Sequence, residues 1–165
     1  MTNQYQNTIN LLFVCHGNIC RSPMAEFVMK DMIEKKHLGN RFYVASAATS
    51  TEETGNPVHR GTREKLREYG RSTEGKYAVQ LSRKDYDKYE YLIGMEHRNL
   101  TNIIRIIGGD PEGNVKRLLD YSSDPRDIAD PWYTGDFDRT YDDVYEGCKA
   151  LLTFILEQET EGNYR

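Results

Sequence analysis

Ile9-Asn10-Leu11-Leu12-Phe13-Val14-Cys15-His16-Gly17-Asn18-Ile19-Cys20-Arg21-Ser22-Pro23 passes from an apolar run into a polar loop and then into the start of a helix. Ile9–Val14 is nearly continuously apolar, which fits a strand buried on both faces of a parallel sheet. Ser22 is a good N-cap and Pro23 suits a first helical position, so a helix is expected to begin there. Met24, Phe27, Val28 and Met32 then recur at helical spacing, and Gly39 is expected to end the helix. In open α/β sheets ligands bind beyond the carboxyl ends of the strands. The loop from Cys15 to Arg21 occupies that position by chain order.

The pattern continues outward from this unit. Phe42–Ala47 reads as a second strand. Gly55-Asn56-Pro57 marks a turn, and Val58–Tyr69 reads as a helix closed by Gly70. Tyr91–Met95 is a third strand. Glu96–Ile107 is a helix ending at Gly108-Gly109, and Val115–Leu118 is a weak fourth strand. Tyr141–Gln158 is a long amphipathic helix with Val144, Cys148, Leu151, Leu152, Ile155 and Leu156 on one side. Strands alternating with helices indicate an α/β fold with a parallel sheet. No repeat, linker or low-complexity segment interrupts it.

The bulk properties agree with a single domain. The chain has 165 residues, of which 38% are hydrophobic, enough for one core. Its formal net charge of −4 gives no generic nucleic-acid or membrane surface. Residues 120–146 hold nine Asp or Glu against two Arg, so an anion site beside them needs strong local donors. Three scattered cysteines argue against a disulfide scaffold, and their spacing argues against zinc. The polar start MTNQYQN argues against a signal peptide, and no apolar stretch is long enough to span a bilayer. A cytoplasmic location is the expectation.

The loop is built for a phosphate. A strand-to-helix junction offers unpaired N–H groups and a favourable helix dipole. Gly17 and Asn18 tolerate left-handed geometry, which lets successive N–H groups curl into a nest. Arg21 can bind two phosphate oxygens at once. Such surroundings favour the thiolate form of a cysteine, which makes Cys15 a candidate nucleophile, with the Ser22 hydroxyl beside it. A bare Cys-x5-Arg also arises by accident, and most single cysteines fill cores. Here the preceding strand, the Gly-Asn pair and the following Ser-Pro favour the catalytic reading.

A phosphate ester also needs an acid for its leaving oxygen. Three Asp-Pro pairs offer Asp110, Asp124 and Asp130, and composition does not rank them, since Asp-Pro is also an ordinary turn starter. Trp132 and Tyr133 follow the Asp130-Pro131 pair at once and can wall a slot for an aryl phosphate, which favours Asp130.

The segment Val14-Cys15-His16-Gly17-Asn18-Ile19-Cys20-Arg21-Ser22-Pro23-Met24-Ala25-Glu26 closely resembles the nucleophile loop of the low-molecular-weight protein-tyrosine phosphatases. Val44–Ser50 with Gly55-Asn56-Pro57, Gly94-Met95-Glu96 and Ala129-Asp130-Pro131-Trp132-Tyr133 resemble that family's second strand and turn, third strand end and acid loop. The resemblance runs from about Ile9 to Gln158, leaving 1–8 and 159–165 as expected tails. It implies a flavodoxin-like three-layer fold with a central four-stranded parallel sheet flanked by helices.

The same resemblance implies hydrolysis of protein phosphotyrosine through a phosphocysteine. Cys15, Arg21 and Asp130 would be catalytic. His16, Gly17, Asn18, Ile19, Cys20, Arg21 and Ser22 would hold the phosphate, with Trp132 and Tyr133 in the substrate pocket. Asn18, Ser22 and Ser46 would support the loop. Apart from the resemblance, Cys20 sits close to Cys15 in the loop, and a reversible disulfide between them under peroxide is preferred narrowly to a small side chain packed under the loop. Cys148 is expected in the core. Neither metal nor cofactor is called for. The implied partners are phosphotyrosine-containing proteins, a cognate tyrosine kinase among them, with no nucleic acid and no membrane.

Two departures stand out: Lys76 where eukaryotic members often carry a loop-tethering His, and Glu96 where many have Asp. Three rival activities belong to similar folds. Arsenate reduction needs resolving cysteines beyond the second helix, and residues 70–95 have none. Arginine phosphatases resemble this chain but carry Thr where it has Ile19. A non-catalytic phosphoryl carrier need not keep both the loop arginine and a remote acid.

Overall fold

The computed structural model describes residues 8–163. Four strands, β1 (Ile9–Cys15), β2 (Phe42–Ala48), β3 (Tyr91–Gly94) and β4 (Val115–Arg117), form one parallel sheet in the order β2-β1-β3-β4. The helices are α1 (Arg21–Lys35), α2 (Arg60–Arg67), α3 (Asp85–Lys88), α4 (His97–Ile107), α5 (Pro131–Thr134) and α6 (Phe137–Asn163). This is the expected flavodoxin-like arrangement. Among the described residues no helix is long and apolar enough to cross a membrane.

The apolar run in β1 divides by the two-residue period of a strand. Leu11, Phe13 and Cys15 face a core shared with Met24 and Met29 of α1 and Cys148 and Leu151 of α6. Leu12 and Val14 face a second core with Ile103 and Ile107 of α4. Both faces are covered, which is why the run reads as continuous rather than alternating. Because the sheet grows from β1 to β2 on one side and to β3 on the other, the crevice of the switch lies at the carboxyl end of β1. Cys15 sits there, opposite Ala48.

Helix ends differ from the sequence reading where a non-glycine residue takes a terminal role. Gly39 does not end α1. His37 adopts the left-handed conformation (φ 58°) and donates to Glu34 O, while Leu38 donates to Ile33 O at 3.0 Å. That pair of bonds is a Schellman motif, with Leu38 packed on the same core as Ile33. Gly70 does close α2 at φ 74°. However, α2 starts at Arg60 rather than Val58, because the His59 side chain accepts from Gly61 N and caps it. Strand β3 stops at Gly94, and Glu96 stands outside α4 as its N-cap.

Helix α6 starts at Phe137, four residues before the expected Tyr141, because Asp136 accepts from Arg139 N at 2.9 Å and holds a polar first turn. It continues to Asn163, so the expected tail from 159 is helical as far as 163. Of the expected tails, 1–7 and 164–165 lie outside the described residues. The short α3 and the 3-10 turns Gly39–Arg41 and Leu118–Tyr121 were not legible as periodic patterns.

Within α6, Gly147 lets fully buried Leu118 press onto the helix: a Cβ there would lie 2.4 Å from Leu118 Cγ. Gly147→Ala is expected to destabilise the fold. Overpacking costs about 1–3 kcal/mol and outweighs the ~1 kcal/mol that alanine gains in a helix. A urea midpoint at or above that of the native chain would contradict this.

Candidate active site

At the end of β1 the chain turns through Asn18, at φ 59°, and enters α1 at Arg21. The helix starts two residues earlier than the Ser-Pro signal indicates. Cys20 is the N-cap, and Pro23 falls at the third helical position, where its missing N–H is still not needed. Ser22 is no cap because its hydroxyl is committed elsewhere. Ser22 Oγ lies 3.0 Å from Cys15 Sγ and accepts from Asn18 Nδ2 at 2.8 Å. Accepting from Asn18 directs the hydroxyl hydrogen toward the sulfur. Sγ also accepts from the N–H groups of Asn18 (3.3 Å) and Ser22 (3.4 Å).

The remaining loop donors are open. Among the described residues no protein acceptor takes the N–H groups of His16, Gly17, Ile19, Cys20 or Arg21. Five unpaired donors at the strand-to-helix junction make a cradle for an anion.

Asn18, only 1% exposed, holds the loop in shape. Its Nδ2 donates to Ser22 Oγ and to Ser46 Oγ (2.9 Å), and its Oδ1 accepts from Val79 N (3.2 Å). Ser46 Oγ in turn donates to buried Glu26 at 2.6 Å. A continuous line of hydrogen bonds thus runs from Cys15 through Ser22, Asn18 and Ser46 to Glu26. Lys76 does not tether Asn18. It donates to Ser46 O at 2.9 Å and lies 3.8 Å from Glu26. Burial pulls its ammonium below the usual lysine range, and Glu26 opposes that shift.

Removing the Asn18 side chain should loosen the nest. Asn18→Ala loses three hydrogen bonds, two of them buried, and places a Cβ residue without Asn's tolerance at positive φ, a cost of about 2–4 kcal/mol. Asn18→Gly keeps the backbone geometry and is expected to lose less stability while still losing activity. Equal urea midpoints for the two variants would remove the strain argument.

Arg21, buried at the floor of the site, is fixed by groups far away in sequence. Its Nη1 donates to Glu96 (2.5 Å) and to Ile128 O (3.0 Å), and its Nη2 reaches Asp130 Oδ2 at 3.3 Å. Burial works against its charge. Cys15, Asp130 and Glu96 outweigh it and hold the proton more firmly than usual. Glu96 is held at the start of α4 by a capping box, in which Asn99 Oδ1 accepts from the backbone N–H groups of Met95 and Glu96.

Asp130 caps α5, accepting from Trp132 N at 3.0 Å, with Pro131 at the first helical position. Its loop is clasped on both sides. Ile128 N donates to Met95 O, Arg126 pairs with Asp143 and Glu146, and Arg117 pairs with Asp127. Of the three Asp-Pro acids, Asp130 lines the cavity with Cys15, whereas Asp110 and Asp124 do not. Asp110 instead accepts from Tyr86, Asn114 and Val115.

The cavity holds about 120 Å³ and is lined by Cys15, His16, Gly17, Ile19, Cys20, Arg21, Glu52, Glu53, Asp130, Trp132 and Tyr133. Trp132 and Tyr133 stand exposed at its mouth. His59 braces Trp132 edge-on and stacks on Phe137 at 5.3 Å. Burial first, then Cys15 and Asp130, push the Cys20 thiol up to about 12. Cys148 is fully buried in the core, as expected, and burial pushes its thiol up as well.

The arrangement unites every sequence-predicted site residue around one nest except Ser46, which supports it from beneath. Sequence reasoning missed Glu26, Glu52, Glu53, His59 and Asn99 as contributors. Glu26 alone carried a signal, as a charged residue on the inward face of a helix.

The profile of the family described as low molecular weight phosphotyrosine protein phosphatase matches residues 10–161. The low molecular weight protein-tyrosine-phosphatase YfkJ of Bacillus subtilis is 41% identical over 153 residues, 92% of this chain and 98% of that protein. Its crystal structure has a TM-score of 0.88 over 92% of this chain and 96% of its own. The low molecular weight protein tyrosine phosphatase SP-PTP of Streptococcus pyogenes is 33% identical, with a TM-score of 0.81 over 96% of this chain and all of its own. A Drosophila arginine phosphatase, DARP, is 26% identical, with a TM-score of 0.80 over 88% of this chain and 96% of its own.

Proposed function

The chain belongs to the low molecular weight phosphotyrosine protein phosphatases, and from that premise we propose that Cys15, Arg21 and Asp130 carry its hydrolysis of protein phosphotyrosine. Cys15 Sγ attacks phosphorus in line, and the bond from phosphorus to the tyrosine oxygen breaks. Asp130 gives its proton to that oxygen. The open N–H groups of the loop and Arg21 hold the equatorial oxygens, whose charge they stabilise without rearranging. A phosphoryl oxygen competes with Asp130 for Nη2, the longest of the three Arg21 contacts. Water then attacks the phosphocysteine and passes a proton to Asp130, and phosphate and the thiolate are released.

The observation that carries this reading is the convergence of Cys15 Sγ, five unpaired N–H groups, Arg21 and Asp130 on one cavity. The substrates are phosphotyrosine proteins, a cognate tyrosine kinase among them, met in the cytoplasm. Cys20 keeps its proposed redox role. A sulfenic acid formed at Cys15 by peroxide condenses with the Cys20 thiol, forming the disulfide and releasing water.

Ile19 lines the same cavity and offers an aliphatic surface to a flat aromatic leaving group. Phosphate release from matched phosphotyrosine, phosphoserine and phosphoarginine peptides tests the substrate class. Phosphotyrosine is expected to be preferred by at least about tenfold, the size of a shape discrimination in an apolar slot. A phosphoarginine preference would transfer the chain to the activity named for its Drosophila relative and overturn the Ile19 argument.

A further inference from the structure

The walls of the cavity carry opposite characters. One is aromatic, Trp132 and Tyr133. The other is acidic, Glu52 and Glu53 on the loop after β2. That loop is fixed to the phosphate cradle: Thr49 N donates to Cys15 O, and Ser50 donates to His16 O through both its N–H and its hydroxyl. The carboxylates are themselves positioned. Glu52 Oε2 lies 3.0 Å from His16 Nε2, and Glu53 Oε2 accepts from Asn56 Nδ2 at 2.6 Å. Glu53 also packs toward Gly17, where a Cβ would lie 3.4 Å from its Cγ.

Two carboxylates at the mouth oppose the approach of a phosphate dianion, so they serve no purpose for the phosphoryl group itself. Arg21 is the one Lys or Arg lining the cavity among the described residues, and it is buried against Glu96 and Asp130. The rim charge therefore faces whatever flanks the phosphorylated residue. A cationic side chain there meets carboxylates on one side and the faces of exposed aromatic rings on the other, and both attract it. An acidic flank is repelled by the same carboxylates.

Building on the phosphotyrosine reading above, we propose that Glu52 and Glu53 select phosphotyrosine segments carrying Lys or Arg within about two residues of the phosphotyrosine. The spacing follows from the reach of an extended chain, about 3.3 Å per residue.

The test compares kcat/KM for three phosphotyrosine peptides that differ only in Lys, Gln or Glu flanks. It uses the native chain, Glu52→Gln/Glu53→Gln and Glu52→Lys/Glu53→Lys. The native chain is expected to favour the Lys-flanked over the Glu-flanked peptide by roughly fivefold, the size of two exposed ion pairs. The preference should shrink between 50 and 500 mM salt, as screening requires (~14 to ~4 Å). The Gln pair is expected to bring the ratio toward one, and the Lys pair to reverse it. Hydrolysis of the Gln-flanked peptide with a native Lys-to-Glu ratio near one, or a ratio that survives in the Gln pair, would overturn the rim assignment alone. No hydrolysis of the Gln-flanked phosphotyrosine peptide, with turnover of a phosphoarginine peptide, would overturn the phosphotyrosine reading and this proposal with it.

Discussion

Cys15→Ser is expected to reduce phosphate release from a phosphotyrosine peptide by at least about 10⁴-fold, the scale seen when a covalent nucleophile is removed. The substitution changes one atom. Serine oxygen fits where sulfur accepts from Asn18 N and Ser22 N, so the nest, Arg21 and the cavity keep their form. What disappears is the nucleophile. A hydroxyl needs a neighbouring base to become reactive, and the partner at this position, Ser22 Oγ, cannot act as one. Peptide binding should therefore survive while turnover does not. Isothermal titration with a phosphotyrosine peptide and a phosphate-release assay on the same preparation separate the two. Wild-type turnover in Cys15→Ser would remove Cys15 from the mechanism, and loss of binding together with turnover would indicate a collapsed loop.

Much of this site was legible because its parts are local. The apolar run, the loop and the helix start are contiguous, so one stretch of sequence fixes the nucleophile, the open N–H groups and Arg21. The strand-helix alternation is also local, and it gave the sheet. What was not legible depends on contacts across the chain. Asn18 meets Val79, Arg21 meets Ile128 and Asp130, and Ser46 meets Glu26. Nothing in the spacing of those residues announces the pairing, and Asp130 was separable from Asp110 and Asp124 only by its aromatic neighbours and by the likeness of its loop to the family's acid loop. Boundaries failed where an unexpected residue supplied a cap. His37 took the left-handed position that Gly39 suggested, and Asp136 started α6 a turn early. Ser22 failed as an N-cap for the opposite reason, since its hydroxyl had a better use against Cys15.

The rim shows the same limit. Glu52 and Glu53 sit in a polar, turn-rich stretch and read as ordinary solvated charges. The bonds that fasten Thr49 to Cys15 and Ser50 to His16 bring them over the cavity. The aromatic side, by contrast, adjoins Asp130 in sequence and was visible at once.

Asp130 supplies the second large effect, and its signature is a dependence on the leaving group. An acid that protonates the departing oxygen is worth about 10²–10⁴ in rate when that oxygen is a poor leaving group. Phosphotyrosine leaves as a phenol and should lose that much in Asp130→Asn. An aryl phosphate activated by a nitro group needs little protonation and should lose less than about tenfold in the first step. Asn is the informative replacement. Its side-chain oxygen can still accept from Trp132 N, so the cap of α5 stays, whereas Asp130→Ala also removes a cap worth about 1 kcal/mol. The same residue takes a proton from water in the second step. With the activated substrate, Asp130→Asn should therefore release a burst of phenol and accumulate the phosphocysteine, which rapid acid quench followed by mass spectrometry would detect on Cys15. A uniform loss across leaving groups, with no burst, would show that Asp130 positions Arg21 through their 3.3 Å contact and transfers no proton.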